Sequence, residues 1–371
     1  MYRVLLRPLL FLFTPHVAHS IAFAATAPVE YAWPVRALTR ALFAHEDPRL
    51  ATRVMGLDFR SPVGLAGGFD KNGLRARALA ALGFGHLELG TVTARAQEAN
   101  PAPNMFRLPA DRALINRLGF PNEGAERVMR RFVARGGAEG AGVPVGISIG
   151  KSRVVAIDDV EAVIADYLES FGHARRAASF VVVNVSSPNT KDLRAMQGAA
   201  LARALLSALK QQNDSMALGR AGPAVPLLVK IAPDLSDAEI EALLAVVEEV
   251  GLDGVVATNT TIRRDGLATL ASEVEAMGAG GLSGPPLRAR AVEVVRRVRA
   301  RLGSKPTVIG VGGVERAEDA MALVRAGANL VQMYTGFIYE GPGAPRVIAR
   351  GLAEMVGREG ATSIAELVGV A

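Results

Sequence analysis

The sequence predicts an α/β protein, a closed (β/α)8 barrel of the TIM type with a small helical extension at its amino terminus. Three features of the 371 residues lead there. From Val54 onward eight short apolar runs recur, a stretch of helical periodicity follows each, and every run gives way at its carboxyl end to polar or small residues. The runs are VGLAGGF at 63–69, HLELGTVT at 86–93, VPVGISIG at 143–150, FVVVNVSS at 180–187, PLLVKIAP at 226–233, GVVATNTT at 254–261, TVIGVGG at 307–313 and LVQMYTG at 330–336. Right-handed crossovers between eight such units close a barrel of about 250 residues, and the span from 54 to about 350 accommodates one with insertions.

The helical stretches include 158–170, 236–250 and 316–326, so strand and helix alternate throughout. The longest insertion, 94–142, lies between the second and third strands and is long enough to form a lid. Ahead of the barrel, residues 4–13 are strongly apolar but carry Arg7 and Pro8, short of the roughly 20 residues a spanning helix requires. Three readings of this segment stay open. It is a secretory signal peptide ending at Ala25–Ala27, a pair of amphipathic helices lying on a membrane with Arg36, Arg40, Arg49 and Arg53 nearby, or a helical hairpin packed on the barrel. Prolines at 28, 34 and 48 punctuate the region. The expected division is an extension over 1–53 and a barrel domain over 54–371.

Composition narrows the function. Half of the residues are apolar, 21 % are charged and the mean hydropathy is +0.24, so a large core is assured. Cysteine is absent, which removes disulfides, thiolate metal sites and a cysteine base. The net charge of +6 is dispersed, favouring anionic small ligands or an anionic membrane surface over nucleic acid.

In a barrel the polar strand ends meet on one rim, where the active sites of this architecture lie. They supply Asp70 and Lys71, Thr91, Ser148 and Lys151, Asn184 with Ser187, Lys230, Asn259 with Thr260, Gly312 with Gly313, and Tyr334 with Thr335. Small-residue loops after the last two strands, with GGLSG at 280–284, suit a phosphate. No GxGxxG or full GxxxxGK[ST] motif is present, so a mononucleotide such as FMN fits better than NAD or ATP. GISIG at 146–150 matches a nucleophile elbow, but Ser148 falls within a strand rather than at a sharp turn. IGKS at 149–152 lacks the earlier glycine of a phosphate-binding loop, and the five histidines show no metal-ligand spacing. Asparagines 116, 184, 189 and 259 can each donate to and accept from a planar polar ring.

The run of motifs AGGFDKNG (66–73), GTVT (90–93), FRLP and INRLGFPN (106–122), NVSSPNT (184–190), VKIAPDL (229–235), ATNTT (257–261), GGLSG, GVGG (310–313) and YTGFIY (334–339) closely resembles the dihydroorotate dehydrogenases, in order over nearly the whole chain. The membrane-associated, quinone-dependent class of that family (class 2) carries an amino-terminal helical extension and a serine base. The soluble classes lack the extension and use cysteine. The resemblance therefore implies the quinone-dependent class, with FMN oxidation of dihydroorotate to orotate in de novo pyrimidine biosynthesis.

By the same resemblance, Ser187 is the base. Dihydroorotate is held by Lys71, the loop of Asn116, Arg117, Leu118, Gly119 and Phe120, and by Asn184, Asn189, Asn259 and Thr260. FMN is held by Gly67, Gly68, Phe69, Asp70, Lys71, Thr91, Ser148, Asn184, Lys230, Thr258, Gly284, Gly313, Tyr334 and Thr335. One departure stands out, since the family usually has asparagine where this chain has the shorter Ser148. The implied partners are dihydroorotate and orotate and a membrane quinone, ubiquinone or menaquinone, with no metal and no nucleic acid. The expected protein is a monomer held peripherally on the cytoplasmic side of the inner membrane of a bacterial cell. Two alternatives stay in view: another FMN barrel oxidoreductase, or a non-catalytic membrane-bound flavoprotein.

Overall fold

The computed structural model describes residues 2–190, 192–219 and 222–370. Its centre is a closed, all-parallel barrel of eight strands: β1 Val63–Leu65, β2 His86–Val92, β3 Val145–Ile149, β4 Phe180–Asn184, β5 Leu227–Ile231, β6 Gly254–Ala257, β7 Thr307–Val311 and β8 Leu330–Met333. Neighbours in sequence are neighbours in space, and β8 returns to β1 with Met333 opposite Leu65. Every expected strand is present, but each ends earlier than its apolar run. The glycines and polar residues that close the runs leave the sheet and become the rim.

Alternation along each strand divides the core in two. Phe180, Val182, Leu228, Val256, Ile309 and Leu330 point into the barrel, whereas Val181, Val183, Val229 and Val255 pack against the surrounding helices. The helices Val160–Ala174, Asp237–Val250 and Ala317–Ala326 fall where the periodicity places them. Asp237–Val250 opens with a reciprocal capping box between Ser236 and Glu239 and closes on Gly251 in the left-handed conformation.

A hairpin of Thr52–Val54 and Leu57–Phe59 stoppers the amino end of the barrel. Phe59 is fully buried among the inward-facing apolar residues and meets His86 edge-on at 5.7 Å. The His86 imidazole lies in the barrel interior, and among the described residues neither nitrogen has a partner. Burial pushes its pKa down to about 3, so it is neutral. Gly64 makes room for it, since a Cβ there would come within 2.2 Å of the ring.

The expected pair of amino-terminal helices is instead four: Arg7–Phe11, Pro15–Ala25, Ala27–Tyr31 and Trp33–Phe43, preceded by a wide turn at Tyr2–Leu6. Prolines that read as breaks sit in the first turn of each helix, where a missing N–H costs nothing. One face of the segment is tied to the barrel. Tyr2 Oη donates to Ile338 O at 2.7 Å, Arg107 Nη1 to Phe13 O at 2.7 Å, and the amide of Ala78 to the buried Glu30 carboxylate at 3.0 Å. The other face is apolar and exposed: among the described residues, 13 of the 20 exposed large apolar side chains lie between Val4 and Leu42. No described helix is long and apolar enough to cross a membrane.

Truncating Phe59 removes the stopper's largest buried ring. Phe59→Ala is expected to lower unfolding free energy by about 3–5 kcal/mol, measured by chemical denaturation. A loss below about 1 kcal/mol would show that the hairpin does not support the barrel.

Candidate active site

The carboxyl ends of the strands surround one cavity of about 1090 Å³, counted with its open mouth. After β1 the chain turns through Gly67 and Gly68, the latter at φ +101°, and brings Lys71 to the wall. Lys71 Nζ donates to Gly68 O at 2.6 Å. Desolvation lowers the lysine's pKa to about 8, with Asp70 pulling the other way.

Across the cavity an amide and hydroxyl network links four strand ends. Thr91 and Ser148 share a hydrogen bond at 2.9 Å, Asn184 Nδ2 donates to Thr91 Oγ1 at 3.1 Å, and Asn259 Nδ2 donates to Ser186 Oγ at 3.0 Å and Asn184 Oδ1 at 3.3 Å. Asn184 is held from behind, because Tyr167 Oη donates to its carbonyl at 3.0 Å. Ser187, nearly buried, accepts from the amide of Asn189 at 3.2 Å. Among the described residues no carboxylate, imidazole or amine hydrogen-bonds Ser187.

The lid is a three-stranded antiparallel sheet. Met105–Leu108 and Ala113–Asn116 come from the long insertion, and Gly281–Ser283 joins with Gly281 opposite Asn116. GGLSG, expected as a loop, therefore supplies a strand as well as the small residue Gly284. Asn189 Nδ2 donates to Asn116 Oδ1 at 3.0 Å, fastening the Ser187 loop to the lid. Leu118, Gly119 and Phe120 continue the lid along the same wall. Behind the site, Arg194 ties three loops together. It donates to Ser186 O at 3.2 Å, to Asp234 Oδ2 at 2.8 Å and to Thr260 O at 3.0 Å.

Lys230, Thr258, Thr260, Gly284, Gly313, Tyr334 and Thr335 also line the cavity. Burial raises the Tyr334 phenol to about 12, which keeps it neutral. Four of the expected site residues lie outside the lining. Asp70 is buried and its carboxylate accepts the amides of Leu74 at 3.0 Å and Arg75 at 2.8 Å, so it shapes the turn that carries Lys71. Phe69 packs edge-on to Tyr334, Phe337 and His19, linking rim to extension. Arg117 stacks on Phe106 and donates to Pro103 O at 2.8 Å, stiffening the lid. Ser148, too short to reach past its neighbour, stands one step behind Thr91.

Three polar lining residues escaped the sequence reading: Glu88, Ser283 and Gln332. Ser283 shares a 2.8 Å hydrogen bond with Thr335. Glu88 and Gln332 stand inside β2 and β8, and a lone polar residue in an apolar run was the available signal. Glu88 Oε2 and both ends of the Gln332 amide are buried without a partner among the described residues.

A family model described as dihydroorotate dehydrogenase matches residues 49–356. The chain belongs to the dihydroorotate dehydrogenase family. Curated members named dihydroorotate dehydrogenase (quinone) are similar over its length. One from Thermobifida fusca is 50 % identical over 353 residues, covering 95 % of this chain and 92 % of that protein. Another from Nocardia farcinica is 50 % identical over 369 residues, covering 100 % and 96 %. Among solved structures, the Eimeria tenella DHODH in complex with ferulenol superposes with a TM-score of 0.83 at 32 % identity, covering 96 % of this chain and 95 % of that one. The match to dihydroorotate dehydrogenases thus takes in the helical extension as well as the barrel.

Proposed function

We propose that this dihydroorotate dehydrogenase oxidises dihydroorotate to orotate on FMN at the barrel rim and passes the electrons to a membrane quinone, as a step of pyrimidine biosynthesis. The observation that carries the reading is the convergence of Lys71, Ser187 and the four asparagines on one cavity whose floor holds unpartnered polar atoms. Those atoms, Glu88 Oε2 and the Gln332 amide, fit a cavity meant for a polar ring, because unsatisfied buried groups are costly. Gly284, Gly312 and Gly313 present only backbone there, and Cβ atoms on them would strike Arg112 O at 2.8 Å, Ala291 Cβ at 2.6 Å and Arg288 Cβ at 2.7 Å. FMN would be held by Gly67, Gly68, Thr91, Lys230, Thr258 and Tyr334, with Gly284, Gly313 and Thr335 at its phosphate. When bound it supplies the hydride acceptor.

The chain's own residues do the rest. Lys71 offers a positive charge to the substrate carboxylate, and the asparagines and Thr260 orient the planar ring through paired donors and acceptors. Ser187 Oγ takes the proton from C5 of dihydroorotate as the hydride departs from C6. With no base bonded to it among the described residues, the serine hands that proton on to water or another hydroxyl. The lid strands and Phe120 cover the ring and limit solvent. Electrons leave toward the extension, whose exposed apolar face from Val4 to Leu42 rests on lipid and admits the quinone. On this reading the protein of a bacterial cell lies peripherally on the cytoplasmic face of the inner membrane.

Anaerobic mixing with dihydroorotate is expected to bleach the flavin absorbance of the purified protein. Ser187→Ala should slow that bleaching by about 10²–10⁴-fold with FMN still bound, and unchanged stopped-flow rates would remove Ser187 from the base role. Lys71 is charged below its pKa of about 8 and neutral above it. Orotate affinity, read from the flavin spectrum, should therefore be full near pH 7 and about tenfold weaker near pH 9, a loss that Lys71→Arg abolishes. Constant affinity across that window would exclude Lys71 as the carboxylate partner. Replacing exposed Trp33 and Leu38 together by glutamate should weaken vesicle binding by about tenfold or more and raise the KM for quinone, with flavin reduction by dihydroorotate intact. Full retention on vesicles would show that another surface meets the membrane.

A further inference from the structure

Glu88 occupies the middle of β2 with a side chain that is 0 % exposed, and its partner Lys230 on β5 is 6 % exposed. Lys230 Nζ donates to Glu88 Oε1 at 3.0 Å, and both residues line the cavity floor. Room for the carboxylate comes from Gly67, where a Cβ would lie within 2.4 Å of Oε1. The second oxygen, Oε2, has no partner among the described residues. An ion pair this deeply buried is expensive, and hydrophobic residues of like volume generally do as well or better for stability. Its presence at the floor of a cavity that lies open above it calls for a role in that cavity.

Charge supplies the role. A lone buried lysine beneath a ring that becomes anionic on two-electron reduction would stabilise the reduced form strongly, because low dielectric amplifies the attraction. A carboxylate at 3.0 Å from the ammonium offsets most of that field. We propose that Glu88 is a positioning residue that fixes Lys230 on the cavity floor and, by offsetting its charge, holds down the reduction potential of the bound flavin. The inference rests on the FMN reading above and assigns a residue outside the motifs that carried it.

The sign follows from the charges. Glu88→Gln keeps size and an oxygen acceptor for Lys230 but removes the negative charge, so anionic ring states gain stability. Sulfite tests this without turnover: its lone pair forms a bond to flavin N5 while a ring π pair moves to the N1–C2 carbonyl region, leaving one added negative charge and no leaving group. In the holoprotein, the sulfite Kd of Glu88→Gln is expected to fall about tenfold or more. The two-electron midpoint potential should rise in step, by about 30 mV per factor of ten. A variant with FMN bound whose sulfite affinity and potential match the wild type, or move the other way, overturns the proposal. If the single variant is unstable or loses FMN, adding Lys230→Met should recover the melting temperature by removing the unpaired charge. A double variant no more stable than the single one also overturns it. The FMN reading fails separately, if wild-type protein shows no flavin absorbance and takes up no FMN.

Discussion

Closure of a parallel sheet is the constraint on which this molecule rests. Eight strands running the same way around one axis deliver all their carboxyl ends to one rim, so Lys71, Thr91, Asn184, Lys230, Asn259 and Thr335 become neighbours although they are scattered along the chain. The pairings leave no free register, because a slip by one residue would turn inward-facing Val182 and Leu228 outward and drive Val181 and Leu227 into the barrel. The same closure leaves an interior that must be filled. Phe59 and the neutral His86 fill its lower end, and Glu88, Lys230 and Gln332 stand beneath the rim.

Polarity in the site is built from amides and hydroxyls that satisfy one another only in part. Asn184 is the hinge of that network, holding Thr91 on one side, Asn259 and Ser186 on the other, and fixed from behind by Tyr167. Preorganised dipoles of this kind stabilise developing charge without having to reorient. Loops are locked in the same way: Arg194 ties the segments after β4, β5 and β6, and Asn189 ties the Ser187 loop to the lid. The serine is therefore placed by a web of contacts rather than by a base of its own.

The extension shows two chemistries on two faces. Toward the barrel it offers backbone carbonyls to Arg75 and Arg107 and the Glu30 carboxylate to an amide, each a charge-assisted contact in a partly dry setting. His19 sits between Phe23 and Phe69, and burial, with the nearby Lys71 charge, takes its pKa down to about 4, so the imidazole is neutral there. Outward it keeps an apolar surface that a water-facing protein would ordinarily cover. Rim and extension touch through Phe69, which packs against His19 on one side and Tyr334 and Phe337 on the other.

Much of this was legible in the chain. Apolar runs of strand length, repeated eight times between helical stretches, specify the barrel because hydropathy period is a local property set by backbone geometry. Motif order pointed to the family, and the absence of cysteine excluded a cysteine base, leaving the serine that the resemblance implies. Strand ends were overrun because a glycine or threonine reads alike inside and just beyond a sheet, and the first-turn prolines of the extension resembled breaks. Glu88 and Gln332 went unread, as did the pairing of Gly281–Ser283 with Ala113–Asn116. Composition and periodicity thus settled the architecture and the supply of polar groups. Which of those groups face the cavity, and that Asp70, Ser148 and Arg117 serve as supports behind it, was settled by packing, since contacts between segments far apart in sequence exist only once the barrel has closed.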